Sequence, residues 1–119
     1  MIKVAFLTND LKNIDAHFGS ADYAAIYSLD VDEVKLLKVI NGDGERTEGR
    51  VKMLKNADVN ILYCVEIGPA AAAKIVNGGI FPIKYKQTVS IESELIKLQS
   101  MLASNPPPFI KKMQTQRVQ

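Results

Sequence analysis

The sequence predicts a single α/β domain built on a mixed five-stranded sheet. Three observations carry that expectation. A chain of 119 residues, 47% hydrophobic with a mean hydropathy near zero, is one domain with enough apolar material for a real core. Two runs, Ile2–Thr8 and Val59–Val65, are almost continuously apolar, as in strands covered on both faces. The segments also follow one another as three strands and then alternating helices and strands, a hairpin opening followed by βα units.

Taken in order, Ile2–Thr8 reads as a buried first strand; Asn9-Asp10 end the run, and no small-residue cleavage site of a signal peptide follows. Asn9–Gly19 is polar and turn-rich, a loop long enough to suspect function. Tyr23–Leu29 has β-branched and aromatic strand content, Asp30–Glu33 supplies a turn, and Val34–Ile40 completes a hairpin. Asn41-Gly42-Asp43-Gly44 breaks the chain. Glu48–Asn56 reads as a short helix with Val51, Met53 and Leu54 on its apolar side, followed by the Val59–Val65 strand. A helix over Pro69–Val76 opens on Pro and closes on Asn77-Gly78-Gly79. Ile80–Tyr85 is a fifth strand that Pro82 assigns to an edge. Ser90 caps the last helix, with Glu92 and Glu94 in its first turn and Ile91, Leu95, Leu98 and Leu102 as its buried stripe. Asn105-Pro106-Pro107-Pro108 stops it, so the domain spans 1–105 and 106–119 is a Pro-rich stop and a loose basic tail. Right-handed crossovers put the fourth strand beside the first and parallel to it. The sheet order is then 3-2-1-4-5 with strand two antiparallel and helices on both faces, a ribonuclease-H-like arrangement.

Composition excludes several functions. A formal net charge of +2 is too small to imply nucleic acid, and no apolar run reaches the ~20 residues of a membrane span. A single cysteine forms no internal disulfide, which fits a reducing cytoplasm. The chain holds one histidine and one cysteine, far short of the ligands of a protein-built zinc site or an ordinary iron–sulfur cluster. Only Asp10 and Asp15 lie near the expected rim, too few carboxylates for a two-metal nuclease. Ser20 is a loop residue rather than a nucleophile on a sharp elbow. The chain is therefore not expected to be an enzyme, nor to keep a metal of its own.

What remains is a rim. In open α/β sheets the ligand crevice lies outside the carboxyl ends of the strands where the order reverses, here between strands one and four. His17, in the segment Asp15-Ala16-His17-Phe18-Gly19, leaves the first strand at that end, and Cys64 and Gly68 stand at the end of the fourth. Imidazole is the commonest side-chain metal ligand, but a loop histidine can equally be a solvent-facing turn residue. Phe18 can anchor the loop while Gly19 lets it turn. Cys64 can be a packed small hydrophobe, or a thiolate stabilised by the start of the next helix. Gly68-Pro69-Ala70-Ala71 leaves helix amides with little side-chain bulk over them, suited to an anion or simply to close packing.

These residues resemble the family of NifX, NafY and the NifB carboxy-terminal domain, the dinitrogenase iron–molybdenum cofactor biosynthesis domain. Val4-Ala5-Phe6, Ile14–Ser20 and Ala25-Ile26-Tyr27 look like its opening strand, histidine loop and second strand. Tyr63-Cys64, Gly68, Ala71-Ala72 and Gly79–Lys84 look like its second half, and Asn105–Phe109 is most like NifX members. Asp15 stands where many relatives have Asn, and a short basic tail replaces the acidic extension of some NifX proteins. The resemblance implies the ribonuclease-H-like fold and a non-catalytic carrier of the iron–molybdenum cofactor or its iron–sulfur precursor. It implies His17, and less firmly Cys64, as ligands to the bound cluster, with Phe18, Gly19 and Gly68 around it. The implied partners are a NifB-type donor and a NifE/NifN-type scaffold, with no nucleic acid or membrane and a monomer or weak dimer. The alternative is a regulatory or interaction domain of the same fold that binds a small anion or a protein without a cluster.

Overall fold

In a computed structural model, residues 2–19, 21–41 and 47–103 are described. The elements run β1 (Ile2–Thr8), β2 (Asn13–Ile14), β3 (Tyr23–Leu29), β4 (Val34–Asn41), α1 (Thr47–Asn56), β5 (Ile61–Cys64), α2 (Pro69–Asn77), β6 (Phe81–Lys84), β7 (Val89–Ser90) and α3 (Ile91–Ala103). The five long strands form one mixed sheet in the order β4-β3-β1-β5-β6. β3 is antiparallel to β1 and to β4, whereas β5 is parallel to β1 and to β6. Counting only these strands in chain order, the sequence is 3-2-1-4-5, and β6 with Pro82 lies at an edge.

The alternation of β1 explains the two layers. Ala5 and Leu7 point into a core with Val51 and Leu54 of α1 and Ala71 and Ile75 of α2. Ile2, Val4 and Phe6 point the other way, against Leu95, Leu98 and Leu102 of α3. Because both faces are covered, almost every β1 residue is buried and the run reads as continuously apolar. Phe6 stacks on Tyr63 at 4.9 Å, and Tyr63 on Tyr85 at 6.0 Å, extending the α3-side core toward β6.

Two short strands, β2 and β7, pair antiparallel through Asn13↔Ser90 and Ile14↔Val89 and tie the first loop to the start of α3. Neither is visible in the sequence, since two residues carry no periodicity. Ser90 nevertheless also caps α3, its hydroxyl accepting from the Ser93 amide at 3.3 Å. Of the two first-turn acids, Glu92 is exposed while Glu94 is buried. The Glu94 carboxylate accepts a hydrogen bond from the Tyr85 hydroxyl and pairs with Lys97 at 3.2 Å. The fourth strand is shorter than its apolar run because Asn60 turns inward: its amide donates to Lys3 O at 2.7 Å and its Oδ1 accepts from Lys3 N at 2.9 Å. The expected break begins at Asn41, which instead ends β4; its remainder Gly42–Gly44, the Asn105–Pro108 stop and the 106–119 tail lie outside the described residues. No described helix is long and apolar enough to cross a membrane.

Candidate functional site

The loop after β1 is organised by its own acids. Asp10 Oδ1 accepts from the amides of Lys12 and Asn13 at 2.9 and 2.8 Å, and Oδ2 accepts from the Asn13 side chain at 2.9 Å. These bonds, the Lys12 amide foremost, hold the Asp10 carboxyl well below the usual carboxylate range. Asp15 Oδ1 accepts from the Asn9 amide at 2.8 Å. Both acids near the rim therefore serve the loop backbone.

That backbone then runs alongside the residues after β5. The Val65 amide donates to Ala16 O at 3.0 Å and the Phe18 amide donates to Glu66 O at 2.8 Å, leaving His17 and Glu66 paired in an isolated parallel bridge. On the other side of the same segment, the Tyr85 amide donates to Cys64 O at 3.0 Å. Phe18, only 2% exposed, plugs into the core shared by Leu7, Leu54 and Ile75, and Arg50 Nη1 donates to Phe18 O at 3.0 Å. His17 itself is exposed. Its backbone is fixed on both sides while the ring faces solvent.

Opposite the ring, α2 begins. Gly68 is the N-cap, with no side-chain cap bond, Pro69 occupies the first turn, and no acid stands there. Together, the uncapped amides and the positive end of the helix dipole suit an anionic group. A cleft of about 530 Å³ joins the two sides, lined by His17, Phe18, Gly19 and Gly68 together with Glu66 and Lys74. The sequence reading brought four of these together but missed Glu66 and Lys74. Lys74 stands three and four residues beyond the first-turn alanines Ala71 and Ala70, and that helical spacing was its available signal. Glu66 depends on the parallel pairing across β1 and β5, and its carboxylate is ion-paired with Lys84 at 3.4 Å.

Cys64 stands at the same end of the sheet but not on the cleft surface. Its side chain is fully buried in the core beneath α2, with Ala71 and Ile75. Burial first, and then the Glu66 charge, push the thiol up to about 11, which agrees with the packed small hydrophobe of the two readings of Cys64 and runs opposite to the thiolate beside a helix start. Among the described residues no three His, Cys, Asp or Glu side chains gather around a point where a metal ion would sit. Gly19 has no left-handed φ, and a Cβ at Gly19 or Gly68 would meet nothing within 4 Å.

Two expected results follow from these environments. Gly68→Ala and Gly19→Ala should each leave unfolding free energy within about 1 kcal/mol of the parent, since neither creates a clash or strain. A larger loss by denaturant titration would mean that the backbone there needs glycine. The Cys64 thiol, raised from 9.0 to about 11, stabilises the fold fully below its unfolded value, and that stability is lost as pH rises through the folded one. Between pH ~9 and ~11 its contribution should fall by about 2–3 kcal/mol, and Cys64→Ala should flatten that part of the profile. An unchanged alkaline slope in the variant would refute the assignment to Cys64.

The geometry is that of a small α/β domain presenting one exposed, backbone-fixed imidazole beside an uncapped helix start. Comparison with known proteins makes the assignment definite. The chain belongs to the family described as dinitrogenase iron-molybdenum cofactor, which matches residues 1–101. It is 31% identical to Protein NifX of Rhodobacter capsulatus, over 94% of this chain and 77% of that one. It is 32% identical to Protein NifX of Herbaspirillum seropedicae, over 93% of this chain and 80% of that one. A crystal structure of a protein from Methanocaldococcus jannaschii, 24% identical, superposes with a TM-score of 0.67 over 85% of this chain and 90% of that one, which shows a shared fold.

Proposed function

We propose that this protein is a non-catalytic carrier of the nitrogenase iron–molybdenum cofactor or its iron–sulfur precursor, on a ribonuclease-H-like sheet. The observation that carries the reading is His17, exposed, held by the Ala16 and Phe18 backbone bonds, and facing the cleft at the start of α2. Family membership and the NifX relatives support a place in nitrogenase cofactor biosynthesis. A preassembled cluster brings its own internal bonding, so it needs few protein ligands. His17 would supply one bond through its imidazole, the Ala70 and Ala71 amides would face the negative charge of the cargo, and Lys74 would add a cation at the cleft wall. Few bonds also suit a protein that must give its cargo up. Phe18 and Gly19 shape the ring side of the cleft and Gly68 the helix side.

Cys64 enters this reading only as a subordinate candidate, because the buried thiol reaches a cluster only if the core beneath α2 opens. The partners proposed are a NifB-type donor and a NifE/NifN-type scaffold, in the cytoplasm. The test is anaerobic titration of the wild-type chain with isolated cofactor or precursor, followed by cluster absorption and iron content. Uptake near one cluster per chain supports the carrier; no uptake by the wild-type chain favours the interaction-domain alternative.

A further inference from the structure

Helices α1 and α2 lie on the same face of the sheet, with Val51 and Leu54 of the first and Ala71 and Ile75 of the second turned into one core. Between them they carry Arg50, Lys52, Lys55 and Lys74 against a single acid, Glu48. Arg50 is engaged on Phe18 O. The three lysines are exposed and line one groove of about 560 Å³ between the carboxyl-terminal halves of the two helices.

The groove has two facing walls. Lys52 and Lys55 stand three apart on α1, and Lys74 and Asn77 three apart on α2, so each pair lies along one side of its helix. Asn56 adds a second carboxamide. A Cβ at Gly78 would lie 2.9 Å from Lys55 Cδ, so the Lys55 stem rests against the end of α2 in the space a side chain there would take. Among the described residues no carboxylate lines the groove, and the exposed Asp58 past the end of α1 is not on its wall.

The kind of anion follows from the backbone. Lys55 and Lys74 stand in the last turns of their helices, where the dipole is negative. The uncapped amides of α2 are at its other end, and the Gly78 amide is already bonded to Lys74 O and Ile75 O. A compact anion such as phosphate therefore finds no guanidinium fork on these walls and no spare helix-start amides, only point charges on flexible stems. Carboxylates spaced along a peptide can meet those charges without approaching the helix ends.

We infer that the α1–α2 groove is the docking surface for an acidic segment of a partner protein. The inference stands whatever His17 binds. Lys74 lines both this groove and the His17 cleft, so a partner seated here has its edge at the cleft.

The experiment titrates the isotope-labelled full chain with a short synthetic peptide of Glu and Ala, at low and at high salt. Amide shifts are expected at Lys52, Lys55, Asn56, Lys74, Asn77 and Gly78, and should fade as salt screens the charges. Lys52→Glu with Lys55→Glu should weaken binding about tenfold or more. Lys35→Glu with Lys38→Glu, the same change of charge on exposed lysines of β4, should alter it by less than about twofold. Should charge reversal lower the unfolding midpoint, Lys52→Gln with Lys55→Gln removes the charge alone. Equal weakening by both double variants would overturn the proposal in favour of general attraction between opposite charges. Displacement of the peptide by inorganic phosphate of equal total charge would overturn it in favour of a small-anion site. No shift in the wild-type chain would overturn it too, leaving the lysines as cations that answer the helix dipoles.

Discussion

Replacing His17 with alanine is expected to weaken uptake of the cofactor or its precursor at least tenfold, the loss of ~1.4 kcal/mol or more that one ligand bond represents. The same substitution should barely change stability. His17 is exposed, and the hydrogen bonds that fix the segment run through the backbone of Ala16 and Phe18, which alanine preserves. Anaerobic titration and thermal unfolding of the same preparation separate the two effects. Cys64→Ala should weaken uptake less, because its thiol lies in the core. Unchanged uptake in His17→Ala with normal unfolding would remove His17 as ligand and shift the weight to the α2 amides and Lys74.

The largest stability effect is expected at the neighbouring position. Phe18 is 2% exposed in the core formed with Leu7, Leu54 and Ile75, and its removal leaves a cavity the size of a phenyl ring. Phe18→Ala should cost about 3–5 kcal/mol, a large share of the ~5–15 kcal/mol that holds a domain together. The unfolding midpoint should fall by more than about 10 °C. Cofactor uptake should fall as well, since the ring of His17 is positioned by the residue that anchors its loop. Phe18→Leu, which keeps most of the apolar volume, should restore much of both. A midpoint lowered by less than about 3 °C in Phe18→Ala would show that the backbone bonds to Val65 and Glu66 hold the loop without the anchor.

What could be read from the sequence followed from local pattern. The continuous apolar run of β1 announced a strand with both faces covered, Pro82 announced an edge, and Ser90 announced a helix start. The exposure of His17 was legible for the same reason, because it stands outside every periodic segment. Other features depend on pairing between residues far apart in the chain. The His17–Glu66 bridge joins residues almost fifty positions apart, and no local signal prescribes it. Cys64 was ambiguous because a strand buried on both faces gives no alternation by which to tell a core-facing thiol from a rim-facing one. The apolar Val34–Ile40 run was legible as the second arm of a hairpin but not as an open one: only Ile40 within β4 is even half-buried. Its exposure reflects how many helices sit on each face, and a hydrophobic pattern does not count them.

The pairing of His17 with Glu66 also bears on the order of events when cargo leaves, if His17 is its ligand. A donor on a swinging loop releases its cargo after the loop moves, so the rate reaches a plateau set by that motion whatever the receiver does. Here the segment is bonded at Ala16 and at Phe18, and the ring faces water from a fixed backbone. An incoming thiolate or imidazole would then be able to engage a cluster bound there before the first bond breaks. If the protein carries a cluster on His17, exchange is expected to be associative, its rate climbing in proportion to the concentration of the competing ligand.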